Sequence, residues 1–171
     1  MSQQINKKPG GTGFQPVQKF QATRRNLPHW QEPGSIYFIT WRAKTGQVLQ
    51  PEERRITLET LRYWDGFKWT LFVAVVLPDH VHVLAQPLSR PEGGVFFNLA
   101  EILHSVKRHS ARVINQLRGT QGSLWQDERY DRIVRDEAEF LEKWNYIRNN
   151  PVKSGLADSP EEYPWLYERG E

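Results

Sequence analysis

Two apolar runs with little more than Pro78-Asp79 between them do more than any other feature to limit what this chain folds into. Lys68–Leu77 and Val81–Gln86 are rich in β-branched and apolar residues and read as strands. So short a break leaves room for an antiparallel hairpin or a bend. His80-Val81-His82 leads into the second run. Residues i and i+2 of a strand share a face, so both imidazoles project together from an apolar segment. Two neutral imidazoles side by side are half of a metal site. A bare His-x-His is more often two partly buried histidines, each bonded to a neighbour. Here the Pro-Asp step before the pair and a tyrosine-bearing helix downstream point to a site.

The remaining pattern supplies partners for this hairpin. Ile36-Tyr37-Phe38-Ile39-Thr40-Trp41 is β-branched and aromatic, a further strand. Pro51-Glu52-Glu53 opens a helix, with proline in the first turn and acids near the positive end of the dipole. Ile56, Leu58, Leu61 and Trp64 give it an apolar face, and Gly66 ends it. A long amphipathic helix carries Leu99, Ile102, Leu103, Val106, Ser110, Val113, Ile114 and Leu117 at helical spacing. His104, Arg108 and Arg112 follow at i, i+4 and i+8 on its other face, with Lys107 beside them. The second half of Leu124–Arg135 reads as a fourth strand, and Asp136 caps a last helix to about Asn149, bounded by Pro151. The order βαββαβα predicts an α+β fold: a ferredoxin-like four-stranded antiparallel sheet with helices on one face.

A length of 171 residues fits one domain with tails. We expect a flexible basic leader over 1–24, the domain over 25–166 and a short acidic tail over 167–171. The absence of cysteine excludes disulfides, thiolate metal sites and thiol nucleophiles. No apolar stretch approaches the ~18 residues of a membrane span, and the N-terminus lacks the apolar region of a signal peptide, so the expected location is the cytoplasm. The formal net charge of +3 is unevenly spread. Residues 1–30 hold Lys7, Lys8, Lys19, Arg24 and Arg25 and no acid; the rest holds 18 basic and 20 acidic residues, a net of −2. A basic arm suits a polyanion such as nucleic acid, and equally a solvated leader kept soluble by lysines.

In the last helix Phe140, Leu141, Trp144 and Ile147 are the expected core face, clustered in one arc at ~100° per residue. Tyr146 and Asn150 are i, i+4 neighbours away from that arc, flanked by Lys143 and Glu139. Alone, each has an ordinary reading: a surface or semi-buried aromatic, and a residue stabilising the turn into Pro151.

Several stretches together carry a resemblance. Pro78-Asp79-His80-Val81-His82 is similar to the His-hydrophobic-His motif of the HUH single-strand DNA transposases. Leu124-Trp125-Gln126, Arg132 to Glu137, Tyr146-Ile147-Arg148-Asn149-Asn150-Pro151-Val152-Lys153-Ser154-Gly155-Leu156 and Tyr163-Pro164-Trp165 resemble the REP-associated tyrosine transposases. So does the opening Arg25-Asn26-Leu27-Pro28-His29-Trp30. The resemblance covers roughly residues 24–166, and the combination is far more specific than His-x-His alone.

The resemblance implies that His80, His82 and the amide oxygen of Asn150 bind Mg²⁺ or Mn²⁺, and that Tyr146 is the nucleophile. The implied enzyme is a DNA transposase and endonuclease that cleaves and rejoins hairpin DNA from palindromic repeats through a 5′-phosphotyrosine. Its partner is single-stranded or hairpin DNA, it acts at the nucleoid, and it is a monomer or a homodimer. DNA binding is expected of His104, Lys107, Arg108 and Arg112, of Lys153, and of Trp125, Arg129 and Tyr130 as stacking groups; the ordinary reading of the stripe is a solvated helix face, and packing in the core is the more common fate of Trp125 and Tyr130. Tyr130 is also a rival nucleophile, without a partner amide one turn away. The alternative from another class is a non-catalytic, structure-specific binder of DNA hairpins.

Overall fold

A computed structural model of the chain describes residues 21–23 and 29–170, with side chains from residue 32 onward. Its elements are β1 (Gln21–Thr23), β2 (His29–Gln31), β3 (Ile36–Ala43), α1 (Pro51–Tyr63), β4 (Trp69–Val76), β5 (His80–Pro87), α2 (Leu99–Arg118), β6 (Trp125–Val134), α3 (Glu137–Lys153) and β7 (Leu166–Glu168). β1 and β2 pair with each other. The other strands form an antiparallel sheet in the order β6-β3-β5-β4-β7. The α+β class and the βαββαβα core order are those expected.

Three details differ. The sheet has five strands, not four: β7 adds an edge of three residues against Val73–Val75, too short to leave a periodic signal. The boundary drawn at 166/167 therefore runs through a strand, and the Arg169 N–H donates to the Phe72 carbonyl at 2.8 Å. Helices also cover both faces rather than one. Tyr37, Ile39, Trp41, Val81, Val83 and Ala85 point to one face and pack with Leu58, Leu61, Leu99, Ile102, Leu103, Val106 and Ile114 of α1 and α2. Phe38, Val73, Val75 and Leu84 point to the other and pack with Ile147 of α3 and Tyr163. β4 and β5 are buried on both sides, which is why their sequences are nearly unbroken apolar runs instead of alternating ones.

Third, α3 continues through Pro151 to Lys153. Proline removes the N–H that Ile147 would accept. The next turn closes anyway, with Ser154 N–H on the Asn150 carbonyl and Gly155 N–H on that of Val152, both at 3.0 Å. Asp136 caps the start as expected, accepting from Glu139 N–H at 2.8 Å. Leu141 is not part of the core face; it is 52% exposed.

The far end of α3 is fastened to the last strand. Glu168 Oε1 accepts from Trp144 Nε1 and from Arg148 Nε, each at 3.1 Å. Across the sheet, α1 and α2 are tied by Arg118, whose guanidinium grips buried Glu53 through Nη2 at 2.6 Å. α2 stops at Gly119, whose φ of 66° is left-handed and open to glycine at little cost. Among the described residues no helix is long and apolar enough to cross a membrane.

Candidate functional site

The Pro78-Asp79 break is a tight hairpin: Leu77 N–H donates to the His80 carbonyl at 2.8 Å, and Val76 faces Val81. His80 lies opposite Arg42 and His82 opposite Thr40 in the β3–β5 register. Both histidines therefore stand on the α3 face, with ring centroids 4.7 Å apart. His82 is buried and stacks on Phe38 at 5.8 Å and 17°. Its Nδ1 is 2.7 Å from Thr40 Oγ1, while Nε2 is buried without a partner. Burial, with the charges of His80 and Arg42, pushes its pKa down to about 3, so the ring is neutral at ordinary pH. His80 Nδ1 meets Asp79 Oδ1 at 2.6 Å, and Arg42 Nη1 meets Asp79 Oδ2 at 3.1 Å. Partial burial would raise the Asp79 carboxyl, but the hydrogen bond from His80 and the charges of His80 and Arg42 hold it below the usual range.

These contacts test whether the residues suit a metal. Each Nδ1 is oriented by an oxygen-bearing side chain, the usual support for an imidazole ligand. These bonds leave the Nε2 atoms outside them, and the orphaned Nε2 of His82 fits use as a ligand. Among the described residues no three His, Cys, Asp or Glu side chains cluster to complete a site; a third ligand must be of another type. Asn150 is buried one turn after Tyr146, its Oδ1 accepting from Ser154 Oγ at 3.3 Å.

Tyr146 roofs the pair. Its ring is 5.2 Å from His82 and 5.8 Å from Phe38, edge-on to both, and 39% exposed. A cavity of about 310 Å³ opens here between the sheet and α3. Phe38, Thr40, Arg42, His82 and Tyr130 line it from the sheet, Lys143 and Tyr146 from the helix. His82 meets Tyr146 in the cavity, and His80 stands beside His82. Neither His80 nor Asn150, on the same helix as Tyr146, lines the cavity. Tyr130, the rival, also reaches the cavity, half exposed and 6.3 Å from Phe38. Sequence reasoning missed Phe38, Thr40 and Arg42 of β3, because their role depends on the register that sets Thr40 against His82. Lys143 was noted only as a flank.

The expected DNA-binding groups divide. His104, Arg108 and Arg112 are exposed along α2 and wall a groove of about 1180 Å³ on the opposite face of the sheet. Lys107 lies in that wall with its Nζ on the Gln126 carbonyl. Trp125 is not a stacking platform: it is 3% exposed, donates through Nε1 to Ser110 Oγ at 3.0 Å and meets Trp41 edge-on. Its position at the start of β6 turns it under α2. Arg129 is likewise no surface stacker; its Nε pairs with Asp131 Oδ2 at 3.0 Å and the side chain is nearly buried, with Nη2 unpartnered. Lys153 lies with its Nζ 5.6 Å from the Tyr146 ring centroid.

No family model matches the chain. A Haemophilus influenzae protein provisionally named a REP-associated tyrosine transposase is 24% identical over 139 residues, 77% of this chain and 78% of that protein. The chain is similar to the REP-associated tyrosine transposases. A solved structure of one such transposase, bound to a REP hairpin, matches with a TM-score of 0.65 at 18% identity, over 84% of this chain and 82% of that one. It shares the fold. A Deinococcus radiodurans protein provisionally described as a transposase matches with a TM-score of 0.44 at 21% identity, over 75% of this chain and 97% of that one.

Some stretches that carry the resemblance to REP-associated tyrosine transposases are scaffold in this structure. Tyr163 of Tyr163-Pro164-Trp165 donates its hydroxyl to the Val76 carbonyl at 2.9 Å, one residue before the histidine hairpin turns. The Arg54 guanidinium stacks on Trp165 at 3.7 Å. Together they anchor the strand that leads into the hairpin.

Proposed function

We propose that this protein is a metal-dependent transposase and endonuclease of single-stranded DNA, which cleaves and rejoins hairpin-bearing DNA through a 5′-phosphotyrosine. The observation that carries the reading is the contact of Tyr146 with buried His82 in one cavity, beside a second imidazole. The hairpin carried by the solved relative supports hairpin DNA as the partner.

His80, His82 and the Asn150 amide oxygen would hold Mg²⁺ or Mn²⁺, with imidazoles making Mn²⁺ the chemically easier ion. When bound, the ion supplies positive charge that polarises the scissile phosphate and offsets charge in the transition state. Thr40 and Asp79 fix the two rings. Tyr146 Oη forms the bond to phosphorus as its proton is lost to solvent, and the P–O3′ bond breaks. The 3′-oxygen takes up a proton and leaves as a hydroxyl. The 5′-phosphotyrosine keeps the phosphodiester energy, so a 3′-hydroxyl can reverse the step without ATP. A tyrosine hydroxyl titrates near 10 in the absence of perturbation, so unaided attack at neutral pH is slow and local positive charge is needed. His104, Lys107, Arg108, Arg112 and Lys153 contact phosphates.

An end-labelled single-stranded hairpin incubated with protein and Mn²⁺ tests this. A covalent protein–DNA adduct is expected. A shifted band without adduct or cleavage would mean a hairpin binder that keeps the fold without turnover, for which the α2 groove alone suffices.

A further inference from the structure

We propose that Lys143 is a phosphate-binding cation of the cleavage cavity, its ammonium holding a non-bridging oxygen of the scissile phosphate on the Phe38 side. The inference rests on the reading of Tyr146 as nucleophile and adds a residue to it. Along β3 the cavity floor runs Phe38, Thr40, Arg42, with successive side chains of that face about 6.7 Å apart. His82 stands opposite Thr40 inside the cavity, and His80 stands opposite Arg42, outside its lining. Lys143 Nζ lies 5.6 Å from the Phe38 ring centroid, on the side of the floor away from Arg42 and His80. Tyr146 is in contact with both His82 and Phe38.

Lys143 and Tyr146 are one turn apart on α3, neighbours on the same face. A phosphate placed for attack by the Tyr146 oxygen is therefore within the sweep of the Lys143 side chain. Arg42, the other cation of the cavity, is engaged with Asp79. Lys143 is bridged to Glu142 at 2.6 Å, but that carboxylate is 68% exposed. An exposed pair between adjacent residues is weak, so a phosphate can replace it. Most of the Lys143 side chain is covered, at 18% exposure, so the ammonium is held at the cavity and not spread through solvent. Charge developing on the phosphate oxygens during attack then meets the Lys143 ammonium, in addition to any ion that the imidazoles would hold.

Two measurements on the full chain test the assignment. In single-turnover cleavage with saturating protein and Mn²⁺, Lys143→Met should slow adduct formation by roughly 100-fold, the loss typical of one aligned charge-stabilising donor. Lys143→Arg should recover most of the rate. In the Tyr146→Phe background, single methylphosphonates are scanned along the strand beside the hairpin and binding is measured. Neutralising one linkage should cost the Lys143 protein about tenfold in affinity and cost Lys143→Met almost nothing. Equal losses in both proteins at every linkage would overturn the proposal, as would wild-type cleavage by Lys143→Met. The binding scan reads Lys143 even where no adduct forms, so a failure of the nucleophile reading stays separate from a failure of this one.

Discussion

The two faces of the sheet are made from alternate residues of the same strands, yet one is closed and the other is open. Under α1 and α2, Tyr37, Ile39, Trp41, Val81, Val83 and Ala85 are all buried in a continuous core. Under α3, the matching series begins apolar with Phe38 and Leu84 and turns polar at Thr40, Arg42, His80 and His82. Each face hides one ring nitrogen without a partner, Trp41 Nε1 on the first and His82 Nε2 on the second. The two are chemically unequal. An indole N–H can only donate, and in an aromatic core it is simply a cost. A neutral imidazole nitrogen can accept a proton or a metal, and this one lies beside a cavity with a tyrosine over it. The difference teaches that the site is where the apolar arc of α3 runs out before the sheet does.

The division can be broken most severely at the open face. Tyr146→Phe should abolish cleavage and adduct while hairpin affinity stays near wild type, and Tyr130→Phe should leave an active enzyme. Peptide mapping of a trapped adduct decides between them, and an adduct on Tyr130 would reverse the assignment. His82→Ala should at the same time remove Mn²⁺ binding in calorimetric titration without unfolding the protein. The closed face should answer in stability instead. Trp125→Ala is expected to cost about 3–5 kcal/mol in urea unfolding, the usual loss for a buried tryptophan, with Mn²⁺ affinity unchanged in the protein that remains folded. A loss of metal affinity there would show that the faces are coupled. The smallest effect belongs to the groove outside the closed face. Arg108→Ala and Arg112→Ala should each lower the salt dependence of hairpin binding, by about 0.9 in slope for every duplex phosphate that the arginine neutralises, with unchanged stability. Wild-type slopes in both variants would remove the stripe from the interface.

Much of the fold and the site was legible because the signals were local. The histidine pair, its tight break and the helix bearing Tyr146 follow from period-2 and period-3.6 patterns over a few residues each. What was missed depends on register or on tertiary cover. For Trp125 the sequence favoured the core over base stacking, and its place at the head of β6, bonded to Ser110, decides for the core. β7 is too short to show a period. The two-sided cover of the sheet was signalled by the unbroken apolar run of β4, yet βαββαβα order alone suggested one covered face. Pro151 marked the end of α3 by local sterics, and hydrogen bonds beyond it carried the helix on. The lysines of the leader, Lys7, Lys8 and Lys19, lie outside the described residues.

Glu168 works as a bolt. Its carboxylate fastens β7 to the helix of Tyr146 through Trp144 and Arg148, and β7 in turn pairs with β4. The pose of the tyrosine over the sheet is therefore anchored at the β7 edge as well as at the cavity.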